Sequence, residues 1–243
     1  MRVLFAIALL LVTLSSPAAP TAGIALNPIT VSLDAKRPAD AVTLTNGTAE
    51  NKVIQVEIMN WTRENGEDHF TPAKDMIVSP PMFRVAAGAQ QVVRVGLRSR
   101  ASANSATEKT YRMFLQGVPE GDAAAPPGSG GTALRLLLRF GVPVFIKPAK
   151  PLPDSMTWQA QRHADGSIAL SVHNTGNRHM KLSDVKLAVA GQTLDASGFA
   201  YVFSGESYTW TLKPEKIVPA GDASVSASTD DGPVHAGLAL LGP

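Results

Sequence analysis

Apolar and polar residues alternate along most of the chain in short runs with a two-residue period, broken by turn residues about every ten positions. That period belongs to strands, whose successive side chains point to opposite faces. Runs this short, separated by frequent turns, predict an antiparallel sandwich. In the first half the pattern predicts strands at 29–33, 41–45, 53–61, 76–79, 90–97, 109–118 and 134–146. In the second half it predicts strands at 158–162, 168–174, 180–189, 192–195, 207–212, 223–228 and 237–241. Helical periodicity is nearly absent.

Seven strands per half suit an immunoglobulin-like domain. Between the two sets stands Pro148-Ala149-Lys150-Pro151-Leu152-Pro153, where prolines restrict the backbone and withhold donors from a sheet. The expectation is an all-β chain of two immunoglobulin-like β-sandwich domains, 24–148 and 149–243, joined by a short Pro-rich hinge. TLTNGT at 43–48 and SVHNTG at 171–176 each end a strand in an Asn/Gly/Thr turn, a short echo that suggests related modules. Asn46 reads as a structural turn residue.

The stretch ALRLLLRFGVPVFIKP at 133–148 stands apart. Leu134, Leu136, Leu138, Phe140 and Val142 share one face of an extended chain, and Arg135 and Arg139 share the other. A Gly/Pro/Ala loop at 121–132 precedes it, and Pro143, lacking a backbone donor, points to an edge position or a bulge. An apolar edge strand invites aggregation unless a partner pairs with it. The alternative is an ordinary core strand behind a surface loop.

Composition narrows the function. Met1-Arg2, an apolar run at 3–14 and the small residues SSPAAPTAGIA have the form of a secretory signal peptide, assigned to 1–23 with cleavage between 19 and 25. The run is too short to remain as a membrane span, and no later stretch approaches the roughly 20 apolar residues a span needs. The mature chain is therefore expected to be exported, without membrane insertion. With no cysteine, it can form neither disulfides nor thiolate sites. A net charge of +2 with no basic block gives no reason to invoke nucleic acid.

Enzyme signatures are missing. There is no GxSxG elbow, no HExxH and no phosphate-cradling loop; the glycines at 128–131 precede a strand pattern rather than a helix. His173 and His179 flank a turn with no third ligand in sight. The expectation is a non-enzymatic protein without metal or cofactor.

Ser79-Pro80-Pro81, Phe83-Arg84-Val85, the turn at Gly88 and Val92-Val93-Arg94-Val95 resemble the PPxxRxxxG…VR stretch of the PapD-like periplasmic pilus-assembly chaperones. Tyr111 to Leu115, Val118-Pro119, the loop, the stretch ending at Pro148 and Thr229-Asp230-Asp231-Gly232 follow in the family's order. The resemblance implies a periplasmic chaperone that binds, folds and caps pilus subunits and delivers them to an outer-membrane usher. Its donor strand would place Leu134, Leu136, Leu138 and Phe140 in the subunit's open groove.

The resemblance also implies a charge network between the domains at Glu108, Lys147 and Asp230, with lysine where arginine is usual; a lysine cannot form the bidentate fork. The family's two basic anchors for the subunit's terminal carboxylate fall near Thr30 and on Pro143, so the usual pair is missing. This departure, with RFGVPVF and the lack of cysteine, resembles the archaic chaperone-usher branch. Arg84, Arg94, Arg112, Arg135 and Arg139 are the candidate substitutes. The competing reading is a secreted immunoglobulin-like module that binds carbohydrate or protein, because sandwich folds host both functions. A chaperone needs the three leucines accessible on an edge, whereas a generic module buries them.

Overall fold

The computed structural model describes residues 23–64, 66–119 and 137–242. The leader and Leu134, Arg135 and Leu136 lie outside these residues. The first half holds ten strands: β1 (Ile24–Asn27), β2 (Val31–Leu33), β3 (Ala39–Asn46), β4 (Lys52–Glu64), β5 (Glu67–Pro72), β6 (Met76–Ser79), β7 (Met82–Val85), β8 (Gln90–Leu97), β9 (Lys109–Val118) and β10 (Arg139–Ile146). One sheet runs β1-β3-β8-β6; the other runs β2-β10-β9-β4-β5, with β7 also beside β4. Their inner faces interdigitate: Val42, Leu44, Val93 and Val95 meet Ile54, Val56, Tyr111, Met113, Leu115, Val142, Val144 and Ile146 in one buried cluster. Each fully buried side chain of this size contributes roughly 1.5–3 kcal/mol.

The second half adds β11 (Met156–Arg162), β12 (Ile168–Asn174), β13 (Met180–Val189), β14 (Gln192–Asp195), β15 (Ala200–Val202), β16 (Ser207–Leu212), β17 (Gly221–Thr229) and β18 (Gly232–Leu241). They order as β14-β13-β17-β18-β11-β12-β16, with β15 beside β13, around a second core that includes Ile168, Leu170, Val172, Leu187, Trp210 and Val225. The result is an all-β chain of two immunoglobulin-like domains. A third cluster, Trp61, Phe145, Tyr201 and Phe203, joins the halves.

The strand pattern holds for most strands with one buried face, and β6, β8, β9, β12, β13, β14 and β16 have the predicted bounds. Four strands were not expected from it. β5 is exposed at every position and so lacks alternation. β7 and β15 have only four and three residues. The chain start splits into β1 and β2, which join different sheets, and Ile29 between them is exposed; the predicted 29–33 strand begins at Val31 because the chain crosses from sheet to sheet at Pro28. The only helical element among the described residues is a short 3-10 turn, Arg100–Ala103.

The echoed turns share one hydrogen-bond scheme. Asn46 and Asn174 are both fully buried. Asn46 Nδ2 donates to Glu50 O at 2.7 Å and Ala86 O at 3.0 Å, while its Oδ1 accepts from Thr48 N. Asn174 Nδ2 donates to Arg178 O at 2.7 Å and Val202 O at 2.8 Å, while its Oδ1 accepts from Gly176 N. In both halves the asparagine's carbonyl accepts from a glycine amide, Gly88 or Gly205. Those glycines have φ of 70° and 76°, a region that disfavours other residues. One side chain thus ties a turn to a distant strand in each half.

Candidate functional site

β10 changes neighbours along its length. Its last three residues, Val144, Phe145 and Ile146, pair in parallel with β2, while the whole strand pairs antiparallel with β9. From Arg139 to Pro143 the edge away from β9 has no strand beside it among the described residues. Pro143 stands where this opening begins, so its missing N–H costs the sheet nothing on that side. An unpaired edge is a template for an added strand.

Alternation assigns the faces of this strand. Val142, Val144 and Ile146 enter the first core, and Phe140 packs against it, half-buried. Leu138, one step further out, has no such cover and is 42% exposed; its neighbour Leu137 is also exposed.

The opposite face combines aromatic and basic groups. Phe70 and Phe114 meet edge to face at 5.1 Å, and Trp61 stacks beyond Phe70 at 6.4 Å. The Arg139 guanidinium lies 3.7 Å from the Phe114 ring centre and that of Arg112 lies 4.5 Å from Trp61, a range in which cations are attracted to ring faces. Arg112 is half-buried, and burial pulls its guanidinium below arginine's ordinary value, opposed by Tyr201 and Asp68; it remains charged. Among the described residues its guanidinium has no hydrogen-bond acceptor. A half-buried cation with unused donors fits a carboxylate.

The other arginines lie elsewhere. Arg94 on β8 and Arg84 on β7 are exposed, and Arg94 is on the sheet that does not include β10. Arg135 lies outside the described residues.

At the joint, Glu108, Lys147 and Asp230 line one small cavity together with Ser32, Arg178 and His179. The contacts of the first three are with other residues than one another. Glu108 Oε1 accepts from the backbone N–H of His179 at 2.9 Å and lies 2.5 Å from its Nδ1. Asp230 pairs with Lys181 at 3.8 Å. Lys147 is exposed and has no carboxylate partner within 4 Å among the described residues.

Three residues tie the halves in a role the sequence did not suggest, His179 having been weighed there only as a metal ligand. Arg63 donates to Tyr201 O at 2.6 Å and through Nε and Nη2 to Asp68. His179 stacks on Phe145. Asn177 donates to Ala106 O and Lys150 O and accepts from Leu152 N. Their partners are distant in sequence, so no local spacing signals them.

Residues 23–151 match the family model of the pili and flagellar-assembly chaperones, PapD N-terminal domain. No curated protein matches the chain by sequence. Among solved structures, the SafB chaperone of Salmonella enterica in complex with SafA pilin is 19% identical, with TM-score 0.64, covering 91% of this chain and 99% of that one. The archaic chaperone-usher complex of CsuC with the tip subunit CsuE of Acinetobacter baumannii is 17% identical, with TM-score 0.63, covering 91% and 100%. The YadV chaperone is 14% identical, with TM-score 0.63, covering 89% and 99%.

Proposed function

The chain belongs to the pilus-assembly chaperones of the PapD family, and from that premise we propose that it works in the periplasm, holding pilus subunits by lending them β10 and passing them to an outer-membrane usher. The observation that carries this reading is the half-open strand: β10 is anchored by β9 throughout and by β2 only over its last three residues. A subunit strand laid along the open edge, in line with β2, completes the sheet and takes its backbone bonds from Arg139 to Gly141. Leu138 and Phe140, with Leu134 and Leu136 of the same parity, supply the apolar side chains the subunit lacks. Burying each leucine contributes roughly 1.5–3 kcal/mol before the cost of association.

Arg112, with Arg139 above it, supplies the cation for an anionic group of the subunit in place of the family's missing pair. Glu108, Lys147 and Asp230 serve the joint that fixes the second domain against this face. The chaperone–subunit complexes among the similar structures support pilus subunits as the partner class. No bond is made or broken; the product is a subunit held folded and ready for exchange.

The test is capture of pilin-domain subunits co-expressed in the periplasm, using the intact protein and a variant with Leu134, Leu136 and Leu138 all changed to Ser. A folded variant that no longer retains subunits is the expected outcome. Equal capture by both proteins rejects strand lending and favours a loop-based binding module.

A further inference from the structure

Gly141 sits on β10 between Arg139 and Pro143, on the face that bears the aromatic and basic groups. A Cβ at this position would come 2.7 Å from Arg112 Nε, 3.5 Å from Arg112 Cγ and 3.3 Å from Phe114 Cε1. Its backbone is therefore the floor on which the Arg112 side chain lies, while the guanidinium carbon stands 4.5 Å from the Trp61 ring centre. Of the glycines within the described strands, Gly96 and Gly117 face only backbone or a small side chain at this range; Gly141 alone meets a charged side chain. Its φ is not in the left-handed region, so conformational freedom does not explain a glycine in mid-strand, where it weakens the strand.

We infer that Gly141 is a positioning residue: by having no side chain it leaves room for Arg112 to lie against β10 and so sets where the guanidinium presents its donors. This rests on the reading of Arg112 as the cation that receives the subunit. The atom displaced by a Cβ belongs to a flexible arginine chain rather than to backbone, and Phe114 need give only a few tenths of an ångström. Gly141→Ala therefore moves Arg112 and leaves the sandwich standing.

The geometry and the binding can be read separately. Labelling with 5-fluorotryptophan gives one ¹⁹F resonance for each of the three tryptophans, and Trp61→Phe identifies that of Trp61. G141A and R112A are expected to shift the Trp61 resonance and leave those of Trp158 and Trp210 in place, with thermal midpoints close to that of the parent. A Trp61 resonance unmoved in G141A overturns the inference. Binding is measured with a synthetic peptide of alternating apolar residues ending in a free carboxylate, against the same peptide ended as an amide. The expected result is about a tenfold loss of preference for the free carboxylate in G141A and in R112A, the size of one charge-assisted hydrogen bond, and no further loss in the double variant. Additive losses in the double variant overturn the inference, because Gly141 then acts independently of Arg112. If R112A keeps the full preference while the Trp61 resonance moves in both variants, the cation reading of Arg112 fails and the positioning stands.

Discussion

The imidazole of His179 lies flat on the ring of Phe145, centroids 3.6 Å apart and planes within 12°, while its Nδ1 meets the carboxylate of Glu108. The Glu108 side chain is 4% exposed, so this contact holds a nearly buried acid at the seam between the domains. His179→Ala removes the stack and the side-chain contact to Glu108 Oε1, which keeps the backbone N–H of residue 179, and a loss of about 2 kcal/mol is expected. His179→Phe keeps the stack and loses only the hydrogen bond, so it should recover part of that loss. Urea unfolding followed by tryptophan emission gives both values. Equal stability of the two variants would show that the ring contributes nothing.

Asn46 and Asn174 provide a second comparison. Replacing either by Ala removes the donor from carbonyls on two segments at once and empties a fully buried position, an expected loss of about 1–3 kcal/mol for each. Asn60 ends no such network and bonds only Thr71 and Pro72 near the surface, so Asn60→Ala should stay within about 0.5 kcal/mol. Chemical denaturation of the three variants decides this, and an Asn46 variant as stable as the Asn60 variant would remove the asparagine from its structural role.

What the sequence disclosed follows from burial. β9 and β12 were legible because every second side chain enters a core: Tyr111, Met113 and Leu115 in one, Ile168, Leu170 and Val172 in the other. β5 was illegible because none of its residues is buried, and its position is set only by pairing with β4. At the site, the parity of Leu138 and Phe140 could be read from alternation, as could the opening at Pro143. The partner of Glu108 could not, since His179 is 71 positions away. Arg63 and Tyr201 are 138 positions apart. Such contacts depend on how two finished domains meet, which strand periodicity does not encode.

Acid should act on Asp75. Burial alone would raise its carboxyl, but the hydrogen bond from the Tyr111 hydroxyl at 2.8 Å and that from Lys109 at 3.1 Å, together with the lysine's charge, hold it below the ordinary aspartate value. A depressed native value means that the unfolded chain takes the proton first. Asp75 therefore contributes stability above its unfolded pKa of about 3.9, and this is lost as pH falls through the lower native value. Asp75→Asn should flatten this part of the stability profile between about pH 5 and pH 2. Tyr111→Phe, which removes one bond to the carboxylate, should cost about 1 kcal/mol at neutral pH and weaken the acid dependence. Thermal melts across that range test both; an acid slope unchanged in Asp75→Asn assigns it to other carboxylates.

Glu206 has the opposite sign. It lies near the joint, with Oε2 buried and without a hydrogen-bond partner among the described residues. Burial raises its carboxyl above the ordinary value, and the Arg63 charge and backbone N–H groups of Phe203 and Arg63 only partly counter this. Here the native state takes the proton before the unfolded chain does, so the group contributes stability below its unfolded pKa of about 4.3 and loses it as pH rises through the raised native value. At neutral pH the protein thus bears a carboxylate its surroundings disfavour. Glutamine resembles the protonated acid at every pH, so Glu206→Gln should be as stable as the parent or more so at pH 7. That advantage should shrink toward zero as the pH is brought down to about 4. Unfolding free energies of the two proteins across this interval are the measurement, and a variant that is less stable at pH 7 would show that the ionised carboxylate helps hold Arg63 and the domain joint together.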